Sequence, residues 1–416
     1  MCDKRRVVIT GLGVISPIGL DETTFWRSLM EGRHGIRPVT AIDVSGYKSK
    51  LGAEVNNGEL DAALAARNWR SMDRAVDMGL LAAVQALEGA GVLGKDGRSS
   101  MPGIPAIIGS CCGPSLSLED TYTRFVKGGL RGMRPTSAVR SMGNLISSQI
   151  SIKFGLTGAN YTIDSACASS VNAIGVAFRM IRDGYADYAL CGGAETFFTP
   201  TLYAVWERLG VMSPATDPNR ACLPFDVERS GFVLGEGAGM LVLEARDAAR
   251  KRGVRQRAEL IGYGESSDAN HITRPNEEGQ ARAIAAALDD AGVGPRDIGF
   301  INAHGTATDA NDSCEAQSIR RVFGDAADDV PVASNKSYFG HMLGAAGVVE
   351  TISVVLGLET GRVPPNLNLE NPNPACKLRL VSGGPLEVVS PLAMKNSFGF
   401  GGDNGVLVLR RTEASA

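Results

Sequence analysis

The chain has 416 residues, 44% of them hydrophobic and 21% charged, with a formal net charge of −3 and a pI near 5.9. That length and apolar content suit two domains, or one large duplicated unit, with an ample core. The slight acidity excludes a general nucleic-acid binder, and eight cysteines without regular spacing point to a reducing compartment.

Lys4-Arg5-Arg6 followed by Val7 to Leu20 imitates a secretory signal, but Gly11, Gly13, Pro17 and Gly19 interrupt the run and no small-residue cleavage site follows. No other stretch reads as a membrane span, so a cytoplasmic protein with no membrane partner is expected. Val7–Thr10 reads as a first core strand entering a glycine turn. Gly11-Leu-Gly13 lacks the third glycine of a dinucleotide fingerprint and is not taken as one. Asp77–Leu87 and Gln280–Leu288 read as amphipathic helices; Ile104–Gly109, Tyr188–Cys191 and Gly239–Leu243 read as buried strands. The alternation is an α/β pattern. The adjacent Cys111 and Cys112 lack a zinc-ligand spacing, and no metal is expected. Arg246–Arg257 is a charged stretch expected to be a surface link between halves spanning 1–255 and 256–416.

Cys167 lies where the strand-like Asn160–Ile163 meets a small-residue helix start, Ala166-Cys-Ala-Ser-Ser170. Val171, Ile174, Phe178 and Ile181 recur at helical spacing. The first N–H groups of a helix are unpaired and partly positive. A thiolate placed there has a pKa lowered from about 8.5 to roughly 7.5 or less, and the same N–H groups can stabilise an oxyanion. Against this stands a plainer role, since a free cysteine is often a small buried hydrophobe. Cys191, ending an apolar strand, fits that role, as do Cys222, Cys314 and Cys376.

Downstream, His304 follows an apolar strand ending at Asn302, beside Thr306 and Thr308. His341 sits in a glycine-rich turn five residues after Lys336. A neutral imidazole can donate from Nε2 to a developing enolate, and the positive Lys336 disfavours the imidazolium. Glu350, nine residues past His341, is placed to pair with Lys336. His34 and His271 read as a surface turn and a loop. Val330–Ala333 leads to His341 and a buried helix much as Tyr161–Ile163 leads to Cys167, a faint internal repeat. Asn396-Ser-Phe-Gly-Phe-Gly-Gly402 is too glycine-rich for a core strand and reads as a loop that lets an aromatic side chain act as a gate.

Asp164-Ser-Ala-Cys-Ala-Ser-Ser170, Asn302-Ala-His-Gly-Thr306, Lys336 with Gly340–Gly347, and Asn396–Gly402 resemble the β-ketoacyl-acyl carrier protein synthases. The likeness is to the Cys-His-His elongating type and the related type II polyketide ketosynthases. Phe225-Asp226, Gly231–Gly239 and Pro364–Asn368 add to it, and it runs from Val7 to about Leu409. The resemblance implies a thiolase-like fold, two duplicated α/β halves in a five-layered αβαβα arrangement, paired as a homodimer or as a heterodimer with a chain-length-factor homologue. It implies a decarboxylating Claisen condensation between acyl- and malonyl-carrier protein, with Cys167 as nucleophile. His304 and His341 bind the malonyl thioester, Lys336 holds the His341 region, and Glu350 gives support. The N–H groups of Cys167 and Phe400 form an oxyanion hole. Thr306 and Thr308 contact the pantetheine arm, Phe400 gates the site and Phe398 faces substrate. No diffusible cofactor is implied, because the carrier brings its own phosphopantetheine. Carriers are acidic, so Arg124, Lys127, Arg131 and Arg134, with Arg67 and Arg70, form a candidate docking patch.

Some positions depart from the family pattern. Asp403 replaces a threonine, Tyr338-Phe339 replaces Met-Thr, Cys112 stands where a pocket-lining isoleucine is common, and Trp206 falls where a second gating phenylalanine is expected. Together they suggest an acyl pocket reshaped for flat, unsaturated chains. Competing readings are a non-catalytic partner subunit, which would lack Cys167, a thiolase, which needs a second cysteine near the C-terminus, and a starter-type Cys-His-Asn synthase, which has Asn where His304 stands.

Overall fold

The computed structural model describes residues 4–412. Five strands belong to the first half: β1 (Val7–Ile15), β2 (Ala106–Gly109), β3 (Asn160–Ile163), β4 (Tyr188–Glu195) and β5 (Gly237–Ala245). Six follow: β6 (Ala258–Ser267), β7 (Phe300–Asn302), β8 (Pro331–Ala333), β9 (Arg379–Leu380), β10 (Leu392–Phe398) and β11 (Asp403–Arg411). They form one sheet in the order β9-β8-β7-β10-β11-β6-β1-β5-β4-β2-β3. With β9 set aside, each half places its strands in the order first-fifth-fourth-second-third. Each also repeats the same pattern of parallel and antiparallel pairs. The faint repeat in the sequence is thus a duplicated topology. The halves join where Val7–Ile9 of β1 pairs with Ala258–Leu260 of β6.

The helices used below are α1 (Arg74–Gly89), α2 (Ser115–Gly132), α3 (Leu145–Phe154), α4 (Ser169–Arg182), α5 (Glu277–Ala291), α6 (Asp309–Phe323) and α7 (Ala346–Thr360). Helices α4 and α7 pack on each other and on strands of both halves. Their apolar side chains, among them Val171, Ile174, Val348 and Ile352, fill a central core. One outer core lies under α1 and α3 and another under α5 and α6. Three apolar layers separated by sheet give the five-layered αβαβα arrangement. Each fully buried Val or Ile contributes roughly 1.5–3 kcal/mol by leaving water, so the two central helices are anchored on all sides.

Several local expectations change. Gly11 and Gly13 lie inside β1, not in a turn, because α1 crosses there. A Cβ on Gly11 would sit 2.0 Å from the Ala86 carbonyl oxygen, and one on Gly13 1.9 Å from that of Ala82. Leu343–Thr360 is long and apolar enough to cross a membrane, contrary to expectation, but 89% of it is buried in the protein as the core helix. Arg246–Arg257 is not all surface link. Arg257 is buried and pairs with Glu22 at 2.6 Å and Glu359 at 2.5 Å, tying the first half to the second. Asn396–Phe398 belongs to β10, and only the residues from Gly399 to Gly402 form the glycine turn.

Candidate active site

Cys167 and His341 occupy corresponding places in the two halves, each after the third strand and before a central helix. Both approaches contain a non-glycine residue in the left-handed region, Ala166 at φ +50° and Leu343 at φ +40°. Such residues cost on the order of 1–2 kcal/mol, which the packing of α4 and α7 offsets. The two turns bring Cys167 Sγ to 3.1 Å from His341 Nε2. The His304 ring centroid is 5.3 Å from that of His341. One nitrogen of each histidine and the sulfur lie within 4.8 Å of one another.

The tautomers follow from the neighbours. His341 Nδ1 accepts from the Leu343 N–H at 3.3 Å, and His304 Nδ1 faces the Lys336 ammonium at 3.4 Å. Both Nδ1 atoms are acceptors, so the proton sits on Nε2 in each ring. Burial, and then the charge of Lys336, hold both imidazoles well below the usual histidine range. Each is a neutral N–H donor.

The thiol departs from expectation. Cys167 is buried, and burial pushes its pKa up to about 12, although Lys336 and the N–H groups of Phe400 and Cys167 act in the opposite direction. Desolvation by the protein packed around the sulfur outweighs the helix N-terminus. Lys336 also departs from its expected place. Its Nζ contacts His304, at 2.5 Å from the main-chain oxygen and 3.4 Å from Nδ1, rather than His341. Its pairing with Glu350 is as expected, at 2.6 Å.

A cavity of about 90 Å³ reaches Cys167, lined by His304, His341, Thr306, Thr308, Phe398, Phe400 and Trp206 among others. The Thr306 and Thr308 hydroxyls are 2.8 Å apart. Phe400 stacks on Trp206 with ring centroids 6.0 Å apart and planes 20° apart. Cys112 lines a different, apolar cavity of about 680 Å³, with Leu118, Tyr122, Val126 and Leu202. Cys167 and Cys112 belong to one apolar cluster. Tyr338 and Phe339 touch neither cavity: both are fully buried in the central core, so they do not reshape the acyl pocket. Asp403 is half-buried beside Asp164 and Asp268, and burial and those carboxylates raise its pKa.

The basic patch is partly spent on ion pairs. Arg124 and Arg134 pair with Asp120 at 2.8 and 3.7 Å, and Arg67 with Glu88 at 3.0 Å. Arg70, Lys127 and Arg131 are exposed. Along α2, which kinks at Gly129, Tyr122, Phe125 and Val126 and, past the kink, Leu130 are also exposed, an apolar patch that the charge pattern concealed.

Other residues at the site escaped the sequence reading. His271 is not only a loop residue: with Ile272 and Arg274 it lines the Cys167 cavity. Glu315 accepts the main-chain N–H of His304 and of Gly305, each at 2.8 Å. Glu195 accepts the Cys111 N–H at 2.5 Å and the Cys112 N–H at 3.2 Å. Lys395 is fully buried, 2.9 Å from Glu350 Oε2. A lysine inside the apolar run Leu392–Phe398 was the available signal.

The fold and these three side chains define an acyl-transferring enzyme of the thiolase-like class. Residues 4–249 match the family model described as "Beta-ketoacyl synthase, N-terminal domain", and residues 257–370 match "Beta-ketoacyl synthase, C-terminal domain". The chain is 39% identical over 412 residues, 98% of its length and 99% of the relative's, to 3-oxoacyl-(acyl-carrier-protein) synthase 2 of Synechocystis sp.. Among solved structures it resembles the ishigamide ketosynthase/chain length factor, with TM-score 0.90, 36% identity, and coverage of 99% of this chain and 100% of that one. It also resembles a type II PKS acyl-carrier protein in complex with its ketosynthase bound to the hexaketide, with TM-score 0.88, 30% identity and coverage of 98% and 100%. The chain belongs to the β-ketoacyl synthase family.

Proposed function

We propose that this protein elongates acyl chains held on a carrier protein by decarboxylating Claisen condensation. The observation that carries the reading is a buried thiol 3.1 Å from one of two neutral Nε2–H imidazoles. Cys167 Sγ attacks the acyl thioester carbonyl; its bond to carbon forms as the carrier's thiolate leaves, and the thiol proton ends on that leaving sulfur. The N–H groups of Cys167 and Phe400 stabilise the oxyanion. Malonyl thioester then places its carbonyl oxygen between the His304 and His341 Nε2–H groups. Loss of carbon dioxide leaves an enolate that these two donors stabilise. The enolate carbon attacks the acyl-cysteine, and the Cys167 thiolate is released. Thr306 and Thr308 line the path for the pantetheine arm, and Phe400, stacked on Trp206, is the gate between the two substrates. Phe398 borders the same space.

No diffusible cofactor is needed on this reading. The halves 1–255 and 256–416 are the two units of the duplication, one supplying the nucleophile and the other the histidines. The chain works as a dimer through the outer edge of β3 and the apolar face of α2. The likeness to a ketosynthase/chain length factor favours a homologous, non-identical partner. Free cysteines throughout the described residues support a cytoplasmic setting. The carrier docks by its acidic surface against exposed cations such as Arg70, Lys127 and Arg131.

The test is incubation with acyl-carrier proteins of varied length and unsaturation, followed by mapping of adducts by mass spectrometry. An acyl group on Cys167, turned over by malonyl-carrier protein, is the expected result. No adduct with any carrier would sink the reading. Preference for saturated medium chains over polyenoyl ones would remove the case for flat substrates.

A further inference from the structure

Among the described residues two lysines are fully buried, Lys336 and Lys395. They hold opposite oxygens of one carboxylate: Lys336 Nζ lies 2.6 Å from Glu350 Oε1, and Lys395 Nζ 2.9 Å from Glu350 Oε2. Lys395 also donates to the Asn396 carbonyl oxygen and, at 3.3 Å, to Ser397 Oγ. Lys395 is not among the residues lining the Cys167 cavity, so it touches no substrate there. Its strand pairs it with Asn302 of β7, two residues before His304.

The charges around the histidines come from four elements. Lys336 precedes His341, Lys395 is on β10, Glu350 is on α7 and Glu315 is on α6. Glu315 accepts the His304 N–H at 2.8 Å and the Asn396 side-chain amide at 3.2 Å. Two cations thus face two carboxylates around Cys167, His304 and His341. Glu350 Oε2 accepts no well-aligned hydrogen bond, so the Lys395 ammonium holds that oxygen by charge at 2.9 Å, and this opposes rotation of the carboxylate away from Lys336.

We propose that Lys395 is a positioning residue: by fixing the second oxygen of Glu350 it locks Lys336 against His304, and so keeps the His304 Nε2–H aimed at the enolate. The inference rests on the proposed condensation. A lysine that merely filled space would leave the protonation of the histidines alone. One that positions and balances charge moves it, because removing a cation makes each imidazolium easier to form. Lys395 lowers both histidine pKa values by its charge.

The experiment compares the full-length protein with Lys395→Met, which keeps the length and removes the charge. Malonyl-carrier decarboxylation is measured against pH, and the four histidines are titrated by NMR. The variant is expected to lose about tenfold in kcat with KM within about twofold, because an interaction made in the transition state is lost. The acid limb and the His304 titration are expected to move up by about one pH unit. Unchanged titration and kcat, or a change in KM alone, would overturn the proposal. If Lys395→Met does not fold, Lys395→Gln keeps a donor for Asn396 and Ser397 without the charge and is read the same way. A wild type inactive on malonyl-carrier protein would defeat the functional reading, while the histidine titration would still decide the role of Lys395.

Discussion

His341 donates its Nε2–H toward Cys167 Sγ across 3.1 Å, and both residues are buried. The sulfur therefore rests as a thiol, pushed up to about 12, with a donor waiting for the anion it becomes. At pH 7 the thiolate is a small minority. Alkylation of Cys167 by iodoacetamide, followed on its own peptide by mass spectrometry, is expected to rise about tenfold per pH unit from 8 to 10, since the thiolate is the nucleophile. A plateau already reached at pH 8 would show that the helix N-terminus prevails over burial.

Removing the sulfur separates the two half-reactions. Cys167→Gln is expected to lower condensation by more than about 10³-fold, the scale for losing a nucleophile. Carbon dioxide release from malonyl-carrier protein should persist, because the His304 and His341 donors are untouched. Loss of both activities in a folded variant would place the decarboxylation machinery on the sulfur rather than on the imidazoles.

The sequence made the histidines legible because each stands in a glycine-rich turn, and Cys167 because it opens a helix of small residues. The Lys336–Glu350 pair could be named from its spacing about His341, and the α/β class from the alternation of strands and helices. What it concealed depends on distances between elements. Whether a helix start or burial governs Cys167 is decided by how closely the elements of both halves pack around it. Whether Lys336 serves His304 or His341 is decided by β8 lying beside β7. Gly11 and Gly13 looked like a turn because their role is to admit α1, a neighbour some 70 residues away. Lys395 showed only as a lysine within an otherwise buried strand, and nothing in its spacing pointed to Glu350 on α7.

Neutral buried imidazoles make a prediction about acid stability. Burial holds the folded His341 pKa well below 6.5, so the unfolded chain binds the proton first. That contribution is fully present above pH 6.5 and is lost as pH falls below it. Between pH 6.5 and 5 it amounts to about 1–2 kcal/mol. Buried carboxylates with raised pKa values, such as Asp312 at about 6, act in the opposite direction, so the test is a difference. His341→Asn is expected to lose less stability than wild type between pH 7 and 5 in urea titrations. An equal loss in both proteins would mean that His341 takes up its proton in the fold at the same pH as in the unfolded chain.

The outer face of the first half makes the last prediction. Strand β3 ends the sheet with one side unpaired, and such an edge invites a partner strand. Helix α2 exposes Val126 at 83% and Leu130 at 85%, with Tyr122 and Phe125 more than half exposed. Single exposed apolar residues are ordinary, but Tyr122, Phe125 and Val126 close together on α2, with Leu130 just past its kink at Gly129, form a patch of the kind that a partner covers. Tyr122 and Val126 also line the 680 Å³ cavity behind Cys112, so the partner would roof it and set its depth. Val126→Asp with Leu130→Asp would bury two unpaired carboxylates in that interface. Dimer affinity is then expected to weaken at least about 100-fold, seen as a monomer by analytical ultracentrifugation at micromolar concentration. The same variant should lose chain-length selectivity while Cys167 still takes up short acyl groups. A variant that sediments as a dimer like the wild type would place the interface elsewhere.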